Sequence, residues 1–166
     1  MLVARVDDDR LDAWMRAALE EGRKALPHCK PNPPVGCVLV RAGEIVARGF
    51  TQPPGQAHAE AMALAGVEGR ATGLTAFVTL EPCSFHGRTP SCAKALVAAG
   101  IERVYVAMLD PHERNDGAGV AILREAGVPV VVGLLEQEAR ADLEAHLRPG
   151  ASETGDSEAS GPAKRG

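Results

Sequence analysis

The C-terminal half of the sequence alternates short apolar runs with segments of helical composition. Gly100 and Gly127 follow two of the helical segments, where glycine is typical of a helix C-cap. Right-handed crossovers between successive strands make such strands parallel. The pattern therefore predicts parallel strands at 75–80, 103–108 and 128–132, and helices at 91–99, 120–126 and 134–147.

The N-terminal half has a different pattern. Asp8 or Asp9 is placed to cap a helix that reaches about residue 26, with one apolar face. Two apolar runs at 35–40 and 44–48 flank a turn and predict an antiparallel hairpin. A helix at 57–65 follows, with Gly66 as its C-cap. Together the halves predict an α/β fold, a three-layer α/β/α sandwich with a mixed five-stranded sheet.

We expect one domain, because the 166 residues match the size of an ordinary single domain. Residues 149–166 contain no large apolar side chain and are rich in Gly, Ser, Ala, Pro, Glu and Lys. Such a composition predicts disorder. The predicted organisation is a folded domain at 1–148 and a disordered tail at 149–166.

Charge and hydropathy limit the classes of partner. The net charge of −4 and the pI of about 5.7 argue against a nucleic-acid partner, because phosphate binding requires a basic surface. No apolar stretch approaches the roughly 20 residues that span a bilayer, and the acidic start does not resemble a secretion signal. We expect a cytoplasmic protein without a membrane partner. In that compartment, clustered cysteines indicate metal binding or catalysis rather than disulfides.

Four residues form the pattern that carries chemistry. His58 and Glu60 are two positions apart, and Cys83 precedes Cys92 by nine. One imidazole and two thiolates suit Zn²⁺, and three protein ligands leave a fourth position for water, as in catalytic zinc sites. The pattern predicts Zn²⁺ as the cofactor, with His58, Cys83 and Cys92 as ligands.

Glu60 is the predicted catalytic residue. At the start of a helix, two residues after His58, its carboxylate can lie beside the metal without binding it. This arrangement matches the zinc deaminases as a class. There, zinc lowers the pKa of a bound water to about 7, and a carboxylate carries the proton to the ring and to the departing amine.

Each half of the pattern is weak on its own, because His-x-Glu and Pro-Cys pairs both occur by chance. Their combination favours the zinc site, because His58-x-Glu60 follows the predicted hairpin and Pro82-Cys83 follows a predicted strand. A structural zinc site with four cysteines is the competing interpretation, but Cys29 and Cys37 are spaced poorly for it. Cys37 lies in an apolar run and is interpreted as a core residue. Three other histidines, at 28, 112 and 146, are interpreted as surface or loop residues.

The sequence resembles the deaminase domain of the bacterial bifunctional riboflavin-biosynthesis deaminase/reductase, within the cytidine and deoxycytidylate deaminase-like superfamily. The resemblance covers roughly residues 11–147. It rests on the spacing between the two cysteines, which is longer than the Pro-Cys-x-x-Cys of nucleic-acid deaminases, and on matched motifs. These are Pro31-Asn32-Pro33-Pro34-Val35-Gly36-Cys37-Val38, His58-Ala59-Glu60, Val78-Thr79-Leu80-Glu81-Pro82-Cys83-Ser84, Gly87-Arg88-Thr89-Pro90, Cys92, Asp110-Pro111, Gly117-x-Gly119 and Ala126-Gly127-Val128.

The resemblance implies the substrate and further site residues. The implied reaction is the hydrolytic deamination of a diaminohydroxyphosphoribosylaminopyrimidine. Asn32 matches a residue that hydrogen-bonds the bound ring, and Arg88 matches a basic position that could hold the substrate. Two substrate-side positions differ, because Thr51 and Phe85 stand where the family commonly has histidines. The substrate is therefore less firmly indicated than the reaction.

Three functions are consistent with these residues. The first is a stand-alone pyrimidine deaminase of riboflavin biosynthesis, using a small amino-pyrimidine and water and working with a separate reductase. The second is a deaminase of another small amino-heterocycle in specialised metabolism, which Thr51 and Phe85 favour. The third is a non-catalytic binding module, which the intact Glu60 argues against. The resemblance further implies a homo-oligomer.

Overall fold

The computed structural model describes residues 8–85 and 91–147 of the chain. In chain order the elements are α1 (Asp8–Arg23), β1 (Gly36–Arg41), β2 (Glu44–Phe50), α2 (Ala59–Ala65), β3 (Thr75–Val78), α3 (Cys92–Ala99), β4 (Arg103–Val106), α4 (Ala118–Glu125), β5 (Val130–Val132) and α5 (Glu136–Leu143), which runs into a short 3-10 helix at Glu144–His146.

The five strands form one mixed sheet in the order β2-β1-β3-β4-β5. Strand β1 pairs antiparallel with both β2 and β3, whereas β3, β4 and β5 are parallel to one another. The predicted hairpin and the three predicted parallel strands are therefore confirmed. The carboxyl ends of β3 and β4 lie at the same edge, and the chain leaves that edge toward Cys83 and toward Asp110.

Two glycines show how the helices cover both faces of the sheet. A methyl group at Gly36 would overlap the Ala18 carbonyl of α1, and one at Gly49 would overlap the Ala59 carbonyl of α2. Gly49 pairs with Cys37, the neighbour of Gly36, and successive strand residues point to opposite faces. The helices α1 and α2 therefore lie on opposite faces. Helix α5 contacts α1, and α3 contacts both α2 and α4, which gives the predicted three layers.

The burial of each strand follows from its place in the sheet. The first five residues of β1 are buried, as expected for a central strand with a helix on each side. The edge strand β2 is partly exposed, and the other edge strand, β5, exposes Val131 and Val132. At the centre, Phe77 is fully buried and stacks on Tyr105 with ring centroids 4.8 Å apart.

The observed boundaries differ from the predicted ones by a few residues. Helix α1 ends at Arg23 rather than near residue 26, and the next residues form turns, with the Ala25 amide donating to the Gly22 carbonyl. The hairpin turn lies where it was expected. Ala42 and Gly43 both have positive φ, at 50° and 85°, as a two-residue turn that matches the strand twist requires.

No helix in the described residues is long and apolar enough to cross a membrane. The predicted tail at 149–166 lies outside the described residues, so the domain boundary stays a prediction.

Candidate metal centre and active site

Three potential metal ligands converge at the carboxyl edge of β3. The ligand atoms of His58, Cys83 and Cys92 all lie within 4.8 Å of one another. His58 Nδ1 is 3.4 Å from Cys92 Sγ and 3.9 Å from Cys83 Sγ. The residues that the sequence separates by up to 34 positions therefore form one cluster.

The local structure explains how each ligand reaches the cluster. His58 is the N-cap residue of α2, and Cys92 is the first residue of α3. Cys83 lies in the loop after β3 and is fixed to the start of α3 by hydrogen bonds. Its carbonyl accepts hydrogen bonds from Ser91 Oγ and the Ala93 amide, and its Sγ accepts one from the Cys92 amide.

The cluster fits zinc. With Zn–S near 2.3 Å and Zn–N near 2.0–2.1 Å, a tetrahedral site places a sulfur and a nitrogen ligand about 3.5–3.6 Å apart. The observed nitrogen–sulfur distances of 3.4 and 3.9 Å lie close to this range. A set of two sulfurs and one imidazole nitrogen is also a set that zinc prefers. The three side chains therefore match zinc in chemistry, and their nitrogen–sulfur distances are near those of a zinc site.

The two cysteines differ in acidity because they share a hydrogen bond. The Cys92 thiol donates to Cys83 Sγ, which lowers the pKa of Cys83. The same hydrogen bond, together with burial, raises the pKa of Cys92. Hydrogen bonding to Cys83 also raises the pKa of His58. Cys83 is therefore the more acidic of the two thiols.

Glu60 lies in the first turn of α2 and is 4% exposed. Burial raises the pKa of its carboxyl to about 7. Its carboxylate also interacts with the Cys92 thiol. Glu60 is thus held at the ligand cluster, where the sequence placed it.

A cavity of about 300 Å³ opens beside the cluster. His58, Glu60 and Cys83 line it, whereas Cys92 is 2% exposed and is not among the lining residues. The walls come from four loops and from the end of the 3-10 helix. The other lining residues are Pro31, Asn32, Pro33, Val35, Thr51, Pro54, Gly55, Gln56, Leu80, Glu81, Phe85, Asp110, His112, Arg114, His146 and Leu147.

The Thr51 hydroxyl is occupied by the protein backbone. Thr51 is 5% exposed, and its Oγ1 accepts a hydrogen bond from the Val35 amide and donates to the Pro33 carbonyl, both at 3.0 Å. Thr51 therefore contributes a wall of the cavity and fixes the proline-rich loop that carries Asn32.

Phe85 contacts a residue from another loop. The Arg114 guanidinium carbon lies 4.1 Å from the centre of the Phe85 ring, and both residues line the cavity. This geometry is a cation–π contact. It joins the loop after Cys83 to the loop after β4.

The loop after β4 is anchored by two buried polar side chains. Glu81 is 3% exposed, and its carboxylate accepts hydrogen bonds from the amides of Asp110, Gly117 and Val120, at 2.9–3.1 Å. Asn115 is 2% exposed. Its side-chain oxygen accepts a hydrogen bond from the Ser84 amide, and its side-chain nitrogen donates one to the Pro82 carbonyl. These contacts hold the loop against the segment that carries Cys83.

The sequence also matches a known protein family. Residues 8–108, more than half of the chain, match the family model described as the cytidine and deoxycytidylate deaminase zinc-binding region. The chain belongs to this family. Membership confirms the predicted Zn²⁺ cofactor, the deaminase class of enzyme and the fold class.

The deaminase is similar to proteins of riboflavin biosynthesis. It is 47% identical over 127 residues to the riboflavin biosynthesis protein RibD of Aquifex aeolicus, which covers 76% of this chain and 36% of that protein. The structure of Acinetobacter baumannii RibD is 42% identical, with a TM-score of 0.82, over 85% of this chain and 40% of that one. A diaminohydroxyphosphoribosylaminopyrimidine deaminase/5-amino-6-(5-phosphoribosylamino)uracil reductase from Thermotoga maritima is 38% identical, with a TM-score of 0.76, over 82% and 40%. The chain spans about a third of the length of the curated relatives it matches.

The structure brings together most of the predicted site residues of the deaminase. Asn32, Thr51 and Phe85 line the same cavity as His58 and Glu60. Arg88, the predicted basic residue, lies outside the described residues, and its role stays a prediction. Cys37, predicted to be in the core, is fully buried, and the raised pKa of its thiol follows from that burial.

Sequence reasoning missed several residues of the cavity and its support, among them Arg114 and Asn115. Glu81 and Asp110 stand in motifs that the sequence singled out, but no role was assigned to them. His112 and His146 were interpreted as surface or loop residues, and the structure places both at the cavity. Their position depends on how the loops pack, for which the sequence carried no local signal.

Proposed function

We propose that this deaminase removes an exocyclic amino group from a diaminohydroxyphosphoribosylaminopyrimidine by hydrolysis, as a step of riboflavin biosynthesis. The observation that carries the proposal is the buried Glu60 carboxylate beside the His58, Cys83 and Cys92 cluster, at a cavity large enough for a small ring. The substrate is named from the Thermotoga maritima relative, at 38% identity.

The ligand residues and Glu60 have distinct tasks in this proposal. His58, Cys83 and Cys92 would hold the zinc ion. When bound, zinc polarises a water molecule and lowers its pKa. The Glu60 carboxylate, as general base, accepts one proton from the attacking water and delivers it to a ring nitrogen while the water oxygen bonds to the ring carbon that carries the amino group. It then takes the second proton of that oxygen and, as general acid, delivers it to the amine, so that the C–N bond breaks, ammonia leaves and a ring carbonyl forms.

The walls of the cavity orient the ring. The Asn32 side-chain amide lines the cavity and carries both donor and acceptor atoms, which suits the polar edge of an amino-pyrimidine. Phe85 provides an apolar surface, and the Thr51 hydroxyl is already hydrogen-bonded to the protein backbone. Arg88 is the predicted additional contact to the substrate. A homo-oligomer, a separate reductase and a cytoplasmic location remain predictions.

The proposal is tested by ammonia release from the phosphoribosylamino-diaminopyrimidinone by zinc-loaded protein. We expect turnover by the wild type and a loss of about 10²- to 10⁴-fold in Glu60→Gln, the range for general acid–base groups. Glu60→Gln should keep one zinc per chain and the thermal stability of the wild type. Glu44→Gln, which changes an exposed glutamate of β2, is the matched control and should be fully active.

Two results would contradict the proposal. Zinc-loaded wild type that releases no ammonia from this substrate excludes it and favours a different amino-heterocycle. Equal turnover by Glu60→Gln and wild type would exclude Glu60 as the residue that moves the proton.

A further inference from the structure

The contact between Phe85 and Arg114 places a cation at the wall of the active-site cavity. The guanidinium carbon of Arg114 lies 4.1 Å from the Phe85 ring centre, and both side chains line the cavity with His58 and Glu60. Phe85 follows the ligand Cys83 by two residues, so their Cα atoms are at most about 7 Å apart. The cation therefore lies on the wall of the cavity that His58 and Glu60 also line.

The Arg114 side chain has no carboxylate partner in residues 8–85 and 91–147. The ion pairs of this region involve other arginines and lysines. Asp110 is an acid of the same loop that also lines the cavity. Its carboxylate instead accepts hydrogen bonds from the His112 amide and the Asn115 side chain. The guanidinium charge of Arg114 is thus left for another group.

The backbone around Arg114 is fixed relative to Cys83. The Arg114 carbonyl accepts a hydrogen bond from Ser84 Oγ, and its amide donates to His112 Nδ1. Next to it, Asn115 bonds to the Ser84 amide and the Pro82 carbonyl. A side chain on such a support loses less conformational entropy when it binds a ligand.

The chemistry of a stacked guanidinium selects the class of ligand. When its face covers an aromatic ring, the N–H groups in its plane remain available as donors. Two of them match two oxygens of a phosphate, and arginine binds phosphate in this bidentate way. Lysine, a point charge without a flat face, neither stacks nor forms the fork.

We propose that Arg114, held over Phe85, binds the phosphate of a phosphorylated substrate and makes the enzyme prefer it over the dephosphorylated form. This inference rests on the proposed function, since it concerns the same cavity. Phe85 then serves as the platform that orients Arg114. Thr51 does not compete for the phosphate, because its hydroxyl is bonded to the backbone.

Kinetics with the phosphorylated pyrimidine and its dephosphorylated ribosyl form test the inference. Loss of a bidentate, charge-assisted contact in Arg114→Gln should raise KM for the phosphorylated form about 10- to 100-fold, with kcat nearly unchanged. KM for the dephosphorylated form should not change. Arg114→Lys should restore only part of the loss, and Phe85→Leu should raise KM about two- to five-fold. Arg70→Gln, at an exposed arginine outside the cavity, is the matched control.

A binding measurement separates this inference from the proposed function. Titration of zinc-loaded protein with ribose 5-phosphate, followed by calorimetry, should show binding that Arg114→Gln weakens and Arg70→Gln does not. If the wild type turns over neither pyrimidine, the proposed function fails, and this titration alone decides the role of Arg114. Equal KM changes for both substrate forms, or unchanged ribose 5-phosphate binding in Arg114→Gln, would overturn the inference.

Discussion

The buried carboxylate of Glu81 is expected to hold the loop that carries Asp110 and Arg114. Its Oε1 accepts hydrogen bonds from the backbone amides of Asp110 and Gly117, at 3.1 and 2.9 Å. Its Oε2 accepts a hydrogen bond from the Val120 amide at 3.0 Å. In Glu81→Gln, the amide oxygen can keep the first two bonds. The amide nitrogen then faces the Val120 N–H, which is a donor facing a donor.

The size of the effect follows from these bonds. A lost hydrogen bond to a charged group costs about 1.5–3 kcal/mol. Because neutral acceptors bind more weakly than charged ones, the two remaining bonds also weaken, and we expect a total of about 2–4 kcal/mol. For a chain of this size, 1 kcal/mol shifts Tm by about 2–4 °C, so Tm should fall by about 4–16 °C.

Thermal unfolding followed by circular dichroism measures this shift, on zinc-loaded protein at matched concentration. Glu102→Gln, which neutralises an exposed glutamate just before β4, is the control and should change Tm little. Zinc content should stay at one per chain, because Glu81 is not a ligand. If Glu81→Gln unfolds at the temperature of Glu102→Gln, the carboxylate does not anchor the loop and the reasoning is refuted.

Three further outcomes are expected. Asn115→Ala should lower the free energy of unfolding by about 1–3 kcal/mol, because it removes a buried side chain that accepts from the partly buried Ser84 amide and donates to the Pro82 carbonyl. Urea unfolding measures this change, and an unchanged midpoint would contradict it. Gly36→Ala should destabilise the protein by at least about 3 kcal/mol, because its methyl group overlaps the α1 backbone; a soluble variant with wild-type Tm would show that α1 moves away without cost. Removing zinc with a chelator should lower the Tm of the wild type, because the bound ion stabilises the folded state. The chelator should change the Tm of Cys92→Ser little. Equal shifts in Tm for the two proteins would argue against Cys92 as a ligand.

The sequence by itself determined features that depend on near neighbours along the chain. The turn that contains Gly43 and the C-cap at Gly100 were predictable, because both glycines adopt positive φ, which glycine accepts without the steric cost of a Cβ atom. The alternation of strands and helices gave the parallel half of the sheet through the handedness of the crossovers. His58, Glu60, Cys83 and Cys92 were predictable because zinc chemistry restricts both residue type and order.

The tertiary structure alone decided what depends on contacts between distant segments. Of the two hairpin strands, β1 and not β2 pairs with β3. This pairing sets where the proline-rich loop and Asn32 lie. The bonds from Glu81 to the loop after β4, and the stacking of Arg114 on Phe85, join residues about 30 or more positions apart. Such contacts form only after the sheet has assembled, because no local conformational preference of either segment brings their side chains together.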